Sequence, residues 1–133
     1  MRVFLDTNVL LSALLWEGGL CDRLMQAVIE EYTMVVGEYV LEETKEKLLG
    51  KFKVDREDAE TFDAELRENE VISRPAKPHR LPEDDPDDQW VLATAIEGKA
   101  DVLVTGDKDL LRVAEQVKEV TILSPRAFVD TYL

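Results

Sequence analysis

The chain is expected to fold as an α/β protein, three layers deep (α/β/α), around a central, mostly parallel sheet of about five short strands. Two observations support this. Short apolar runs alternate with stretches of helical periodicity along the whole chain, which is the pattern of a parallel sheet covered on both faces. Acidic residues also recur just past the apolar runs, where the carboxyl ends of parallel strands would share one edge of the sheet. There are no internal repeats and no low-complexity segments, and all 133 residues are read as one domain, 1–133.

Residues 2–5 (Arg-Val-Phe-Leu) read as the first buried strand. Leu10-Leu11 and Leu14-Leu15 then give helical spacing, Gly18-Gly19 breaks the run, and a second helix is expected over about 20–31. Thr33-Met34-Val35-Val36 is the next strand, followed by a helix from about 38 to 50 with Leu41, Leu48 and Phe52 inward. Residues 55–69 form a charged helix with Ala59, Phe62 and Leu66 as its apolar stripe, and Glu70 to Ser73 a brief third strand. A long connection switches abruptly from basic and proline-rich (74–82) to acidic (83–88), and long connections are often functional. A helix follows over about 86–98, closed by Gly98; then come a strand from Asp101 to Thr105, a helix from Lys108 to Val117, a strand from Val120 to Leu123 and a terminal helix from Pro125.

The composition, 45% hydrophobic and 34% charged, is that of a globular chain and argues against disorder. The single cysteine, Cys21, cannot form an internal disulfide, is expected to be buried, and fits a reducing cytoplasm. No apolar stretch reaches membrane-spanning length, and a strand beginning at Arg2 is expected to leave no signal peptide, so the expected location is cytoplasmic. The net charge of −13 counts against general affinity for nucleic acid, whose binders are usually basic. Bound cations at the acidic clusters would offset part of it.

Each acidic cluster has a structural explanation as well as a functional one. Asp6-Thr7-Asn8 suits a helix N-cap, yet its place at the tip of the first strand turns a carboxylate to the crevice. In Asp85-Pro86-Asp87-Asp88, Asp85 can cap a helix that Pro86 opens, with acids favoured in the first turn. Five acids in the six residues 83–88 exceed that need, and Asp88, three and four residues before Val91 and Leu92, projects inward. Gly106-Asp107 after Val102-Leu103-Val104 is ordinary turn chemistry, and Asp107 can cap the next helix. Glu43 lies well away from Leu41, Leu48 and Phe52 on a helical wheel, which favours a solvated face, and Glu42 and Glu46 compete with it. Carboxylates from these clusters meeting in space would take up protons or bind a cation, and hard oxygen donors favour Mg2+ or Mn2+.

Taken together, the clusters resemble those of the PIN-domain ribonucleases, most closely the VapC-like group of toxins from toxin–antitoxin pairs. The resemblance rests on residues 1–15 (MRVFLDTNVLLSALL), 85–95 (DPDDQWVLATA), 100–111 (ADVLVTGDKDLL) and 122–128 (ILSPRAF), and runs end to end. It implies an acidic quartet at Asp6, Glu43, Asp88 and Asp107 that is both catalytic and metal-holding, with Asp109 a further acid and Asn8 and Thr105 as polar supports. It implies one or two Mg2+ (or Mn2+) ions, hydrolysis of RNA to a 5′-phosphate and a 3′-hydroxyl, a cognate antitoxin and a homodimer. Arg74, Lys77 and Arg80 are candidates to hold the RNA backbone, with Lys51, Lys53 and Lys108 as further cations. Trp90 suits base stacking or core packing equally, and His79 is expected to be exposed and without a role.

Other readings fit less well. An aspartyl-phosphate enzyme would use Asp6 as nucleophile, but Asn8 stands where one such family wants a second acid. No Gly-rich loop ending in Lys-Ser/Thr exists for a GTPase. A PIN-type nuclease in RNA processing, or a metal-binding regulatory module without catalysis, keeps the same site with a different use.

Overall fold

A computed structural model describes residues 1–79 and 86–133, with only the backbone of Pro86. Among these residues, five strands form one sheet: β1 (Arg2–Leu5), β2 (Thr33–Gly37), β3 (Glu70–Ile72), β4 (Val102–Val104) and β5 (Thr121–Leu123). Their order is β3-β2-β1-β4-β5, and every neighbouring pair is parallel. The strands are short, and β1, β2 and β4 are almost wholly buried, as expected where both faces of a parallel sheet are covered.

The helices are α1 (Thr7–Leu15), α2 (Leu20–Glu31), α3 (Glu38–Leu49), α4 (Arg56–Leu66), α5 (Pro86–Glu97), α6 (Lys108–Arg112) and α7 (Pro125–Tyr132). Contacts of α1 with α2 and α3, of α3 with α4 and of α2 with α7 make one layer. Right-handed crossovers put the α5 connection on the opposite face, which completes the three layers. Gly18, with φ +79, supplies the left-handed turn between α1 and α2 that a side chain would disfavour.

The placement of α5 depends on two glycines. A Cβ on Gly37 would lie 2.7 Å from Thr94 Cγ2 and 3.2 Å from Phe4 Cζ, so its absence lets the middle of α5 sit close on β2. Gly98, expected to close this helix, does so by close approach: a Cβ there would meet Ile72 Cγ1 at 2.8 Å, whereas the positive φ falls on Lys99. Arg2 fastens the same end, its Nε and Nη2 donating to the Gly98 carbonyl (3.0 and 2.6 Å) while its guanidinium pairs with Glu70.

Three expectations are corrected. The helix expected over 108–117 ends at Arg112, and Val113 (φ −95, ψ 6) leads into a 3-10 turn at Ala114–Gln116. Leu110, Val113 and Val117 are all buried, so the apolar spacing was real but is met by a tightened chain. Phe52 lies beyond the end of α3 and is exposed, while Val40, Leu41, Thr44 and Leu48 form the buried stripe. Cys21 is half-buried rather than buried, and its partial burial raises the thiol's pKa.

Candidate active site

Moving outward from β1, the chain builds β2 and β3 on one side and then returns to lay β4 on the other. The gap between β1 and β4 is therefore the topological switch point, and the crevice beyond their carboxyl ends is the favoured ligand position. Leu5 pairs with Val104, so the next residues, Asp6 and Thr105, face each other across that gap.

The Asp6 carboxylate is buried there and held by several donors. The Thr7 amide donates to Oδ1 (2.8 Å), the Thr105 hydroxyl to Oδ2 (2.7 Å), and the Asn8 amide reaches Oδ2 at 3.5 Å. Desolvation outweighs these bonds, and with Glu43 and Asp107 repelling it, the carboxyl is pushed up to about 6. The turn after β4 is tied to the same residues. Asp107 N–H donates to the Thr105 hydroxyl (3.0 Å), and Gly106 N–H donates to the Asn8 carbonyl oxygen (2.8 Å).

Asp107 caps α6, its Oδ1 accepting from the amides of Asp109 (2.8 Å) and Leu110 (3.3 Å). This is the capping role anticipated for it, and it does not take the residue out of the crevice. Asp88, buried in the first turn of α5, joins it: carboxylate oxygens of Asp88, Asp107 and Asp109 lie within 4.8 Å of one another. Asp109 therefore sits in the tightest group, more central than the supporting place expected for it. Asp6 is close enough to Asp107 to feel its charge.

Glu43 is half-buried and raises the pKa of Asp6, so it lines the crevice rather than a freely solvated face. Its flank of α3 looks solvent-facing in the sequence because the crevice is itself open. Glu42 turns away, bonded to Arg74 (3.0 Å). Asp87 likewise turns from the trio and accepts from the Tyr39 hydroxyl.

The expected basic residues divide. Arg74 is engaged by Glu42 and lies 5.0 Å over the Tyr39 ring. Lys77 and Lys108 are exposed, and Lys108 adjoins Asp107. Lys51 and Lys53 follow the far end of α3, twelve residues or about 18 Å of helix from the crevice edge, so they are poorly placed to hold a substrate there. Arg80, Asp85 and the other acids of 83–85 lie outside the described residues. His79, expected to be exposed, is half-buried: its amide donates to Gln89 O (3.1 Å) and its ring lies 3.9 Å from Glu119. Trp90 is half-buried on α5.

Two residues at the site escaped the sequence reading. Tyr39 lies four residues before Glu43 and so on the same helix face, a spacing that could have pointed to it. Arg112 Nη2 lies 3.1 Å from Asp109, an i,i+3 pair on the same short helix.

The PIN domain family profile matches residues 2–109. The chain belongs to the PIN domain family. Solved structures share its fold. A chain of VapBC2 from Rickettsia felis, determined bound to a DNA fragment from its promoter, superposes with a TM-score of 0.70 at 18% identity, covering 93% of this chain and 98% of that one. A PilT N-terminus domain protein from Sulfolobus solfataricus gives 0.59 at 17% identity, covering 100% and 94%. VapC20 of Mycobacterium tuberculosis, a sarcin-ricin loop cleaving toxin, gives 0.59 at 20% identity, covering 90% and 98%. No curated protein matches the chain in sequence.

Proposed function

We propose that the chain is a Mg2+- or Mn2+-dependent ribonuclease that hydrolyses RNA phosphodiester bonds, acting as the toxin of a toxin–antitoxin pair. The observation that carries the reading is three carboxylates within 4.8 Å, one of them electrostatically coupled to the buried Asp6, at the switch point of a PIN-family sheet. The donor set is all hard oxygen, which suits Mg2+ or Mn2+ and not a soft metal.

Asp88 and Asp107 are the residues to hold one or two ions, with Asp6, Glu43 from the α3 wall and Asp109 beside them. Such an ion supplies charge stabilisation at the phosphate and activation of water for in-line attack. Asp6, pushed up to about 6, loses its proton readily near neutral pH and is then an acceptor-only ligand. Thr105 and Asn8 fix its orientation, and Thr105 also holds the Asp107 backbone. Lys77 and Lys108, with Arg80, are the cations to bind the RNA backbone.

The toxin role draws on the likeness to VapC20, which is described as a toxin cleaving the sarcin-ricin loop. A basic antitoxin segment would complement the acidic crevice and the net charge of −13. The reading takes residues 1–133 as one domain, a homodimer as the working assembly and the cytoplasm as its location. Among the described residues no helix is long and apolar enough to cross a membrane.

The test is cleavage of a mixed panel of structured and single-stranded RNAs with Mg2+, with Mn2+ and with EDTA, beside Asp6→Asn and Asp88→Asn. Cutting that requires metal and is lost in both variants supports the proposal. RNA left intact under every metal by a protein that still binds Mn2+ would contradict general ribonuclease activity and point to a narrow target outside the panel or to a non-catalytic metal-binding module.

A further inference from the structure

Asp6 and Asp107 are held together by the sheet, because β1 and β4 are hydrogen-bonded neighbours. Glu43 and Asp88 have no such connection. They sit on α3 and α5, separate helices joined through a long chain segment, and each brings a negative charge towards others. Some device must keep the first turn of α5 close to α3 against that repulsion.

We propose that Tyr39 is a positioning residue for the acidic centre: its hydroxyl, donated to Asp87, ties the first turn of α5, and with it Asp88, to the α3 face that carries Glu43. The inference rests on the reading of the crevice as a divalent-metal site.

Four observations carry it. Tyr39 and Glu43 stand four residues apart on α3, so they share a face. The Tyr39 hydroxyl donates to Asp87 Oδ1, a charge-assisted bond between two helices. Glu43 is close enough to that hydroxyl to disfavour its ionisation, together with Asp87 and burial, so Tyr39 stays a neutral donor. Arg74 covers the ring at 5.0 Å and is itself bonded to Glu42 on the same helix, so the ring packs against a cation anchored to α3.

Asp87 and Asp88 are consecutive, about 100° apart around the helix. Fixing the outward-turned Asp87 sets the rotation of the first turn and so aims Asp88 at Asp107 and Asp109. Other fastenings of α5, at Gly37 and at Arg2, lie towards its middle and its far end, and the His79 amide holds the Gln89 carbonyl in the first turn. Tyr39 adds the bond that joins this acid-bearing end to α3.

Tyr39→Phe removes the hydroxyl and keeps the ring beneath Arg74. The experiment is a Mn2+ titration by electron paramagnetic resonance on the full chain. It compares wild type, Tyr39→Phe, Asp87→Ala and the double variant, with Asp88→Asn as the control that locates the ion and with metal-free thermal melts alongside. The expected result is about a tenfold loss of Mn2+ affinity in Tyr39→Phe, the size usual for groups that orient metal ligands. In the Asp87→Ala background the same substitution should cost nothing further, because the bond is already gone. Metal-free melting should move little.

Unchanged Mn2+ affinity in Tyr39→Phe, or an equal loss in the Asp87→Ala background, overturns the inference, the first marking Tyr39 as mere packing. A wild type that binds no Mn2+, or binds it unaffected by Asp88→Asn, overturns the metal-site reading itself and the inference with it.

Discussion

Asp6 shows how this site sets function against stability. Its carboxyl is raised to about 6, chiefly by burial, from an ordinary value near 4. As pH rises through that interval the unfolded chain gives up the proton first, so the folded state loses stability between about 4 and 6 and stays lower above it. The shift corresponds to roughly 3 kcal/mol. Asp6→Asn removes this penalty but gives up one accepted bond, a cost of about 1 kcal/mol. Without metal, the variant should therefore be more stable than wild type by about 1–2 kcal/mol at pH 7.5, with the gap closing towards pH 4, as read by urea denaturation across pH. Saturating Mn2+ should reverse the order, because the native carboxylate strengthens its binding to the folded state. A variant less stable than wild type at pH 7.5 without metal would count against the burial argument.

Among the elements, α5 carries the most consequence, since its height over β2 decides where Asp88 stands. Gly37→Ala puts a methyl 2.7 Å from Thr94 Cγ2 and should cost about 1–3 kcal/mol by overpacking. It should also lower Mn2+ affinity by shifting the helix. Adding Thr94→Ser, which deletes the opposing methyl, should recover part of both losses; Phe4, 3.2 Å away on the other side, sets the remainder. Chemical denaturation and Mn2+ titration of the three variants check this.

The strands and α1 to α5 were legible because apolar runs and helical spacing report burial directly. The 108–117 segment was misjudged because Leu110, Val113 and Val117 keep a helical interval while the backbone tightens at Val113. Asp6 and Asp107 were visible from their places at strand ends. Glu43 was ambiguous because periodicity separates core from non-core and cannot tell an open crevice from bulk solvent. Tyr39 was missed for a related reason: its partner, Asp87, comes from another element across a long connection, and local spacing carries no trace of that meeting.

For the molecule as a whole the governing quantity is a net charge of −13, part of it gathered in one crevice. Self-repulsion of this kind weakens the compact state and is screened by salt. Without divalent metal, raising KCl from about 20 to about 300 mM shortens the Debye length several-fold, from roughly 20 Å to roughly 6 Å, and should raise the melting temperature. Mn2+ at millimolar level should raise it further at constant ionic strength, by specific binding to the folded state. An Asp88→Asn protein should keep the KCl response and lose most of the Mn2+ increment. Equal responses of both proteins to Mn2+ would mean the ion acts only as a screening charge.

On the proposed function, the sheet's switch point gathers these carboxylates to hold a divalent cation. Anomalous diffraction from crystals soaked in Mn2+, recorded at the manganese edge, tests it most directly. The predicted result is a peak between the carboxylates of Asp88 and Asp107 that is absent from Asp88→Asn crystals. Well-ordered side chains with no peak there, or a peak only at some other acidic surface, would contradict it.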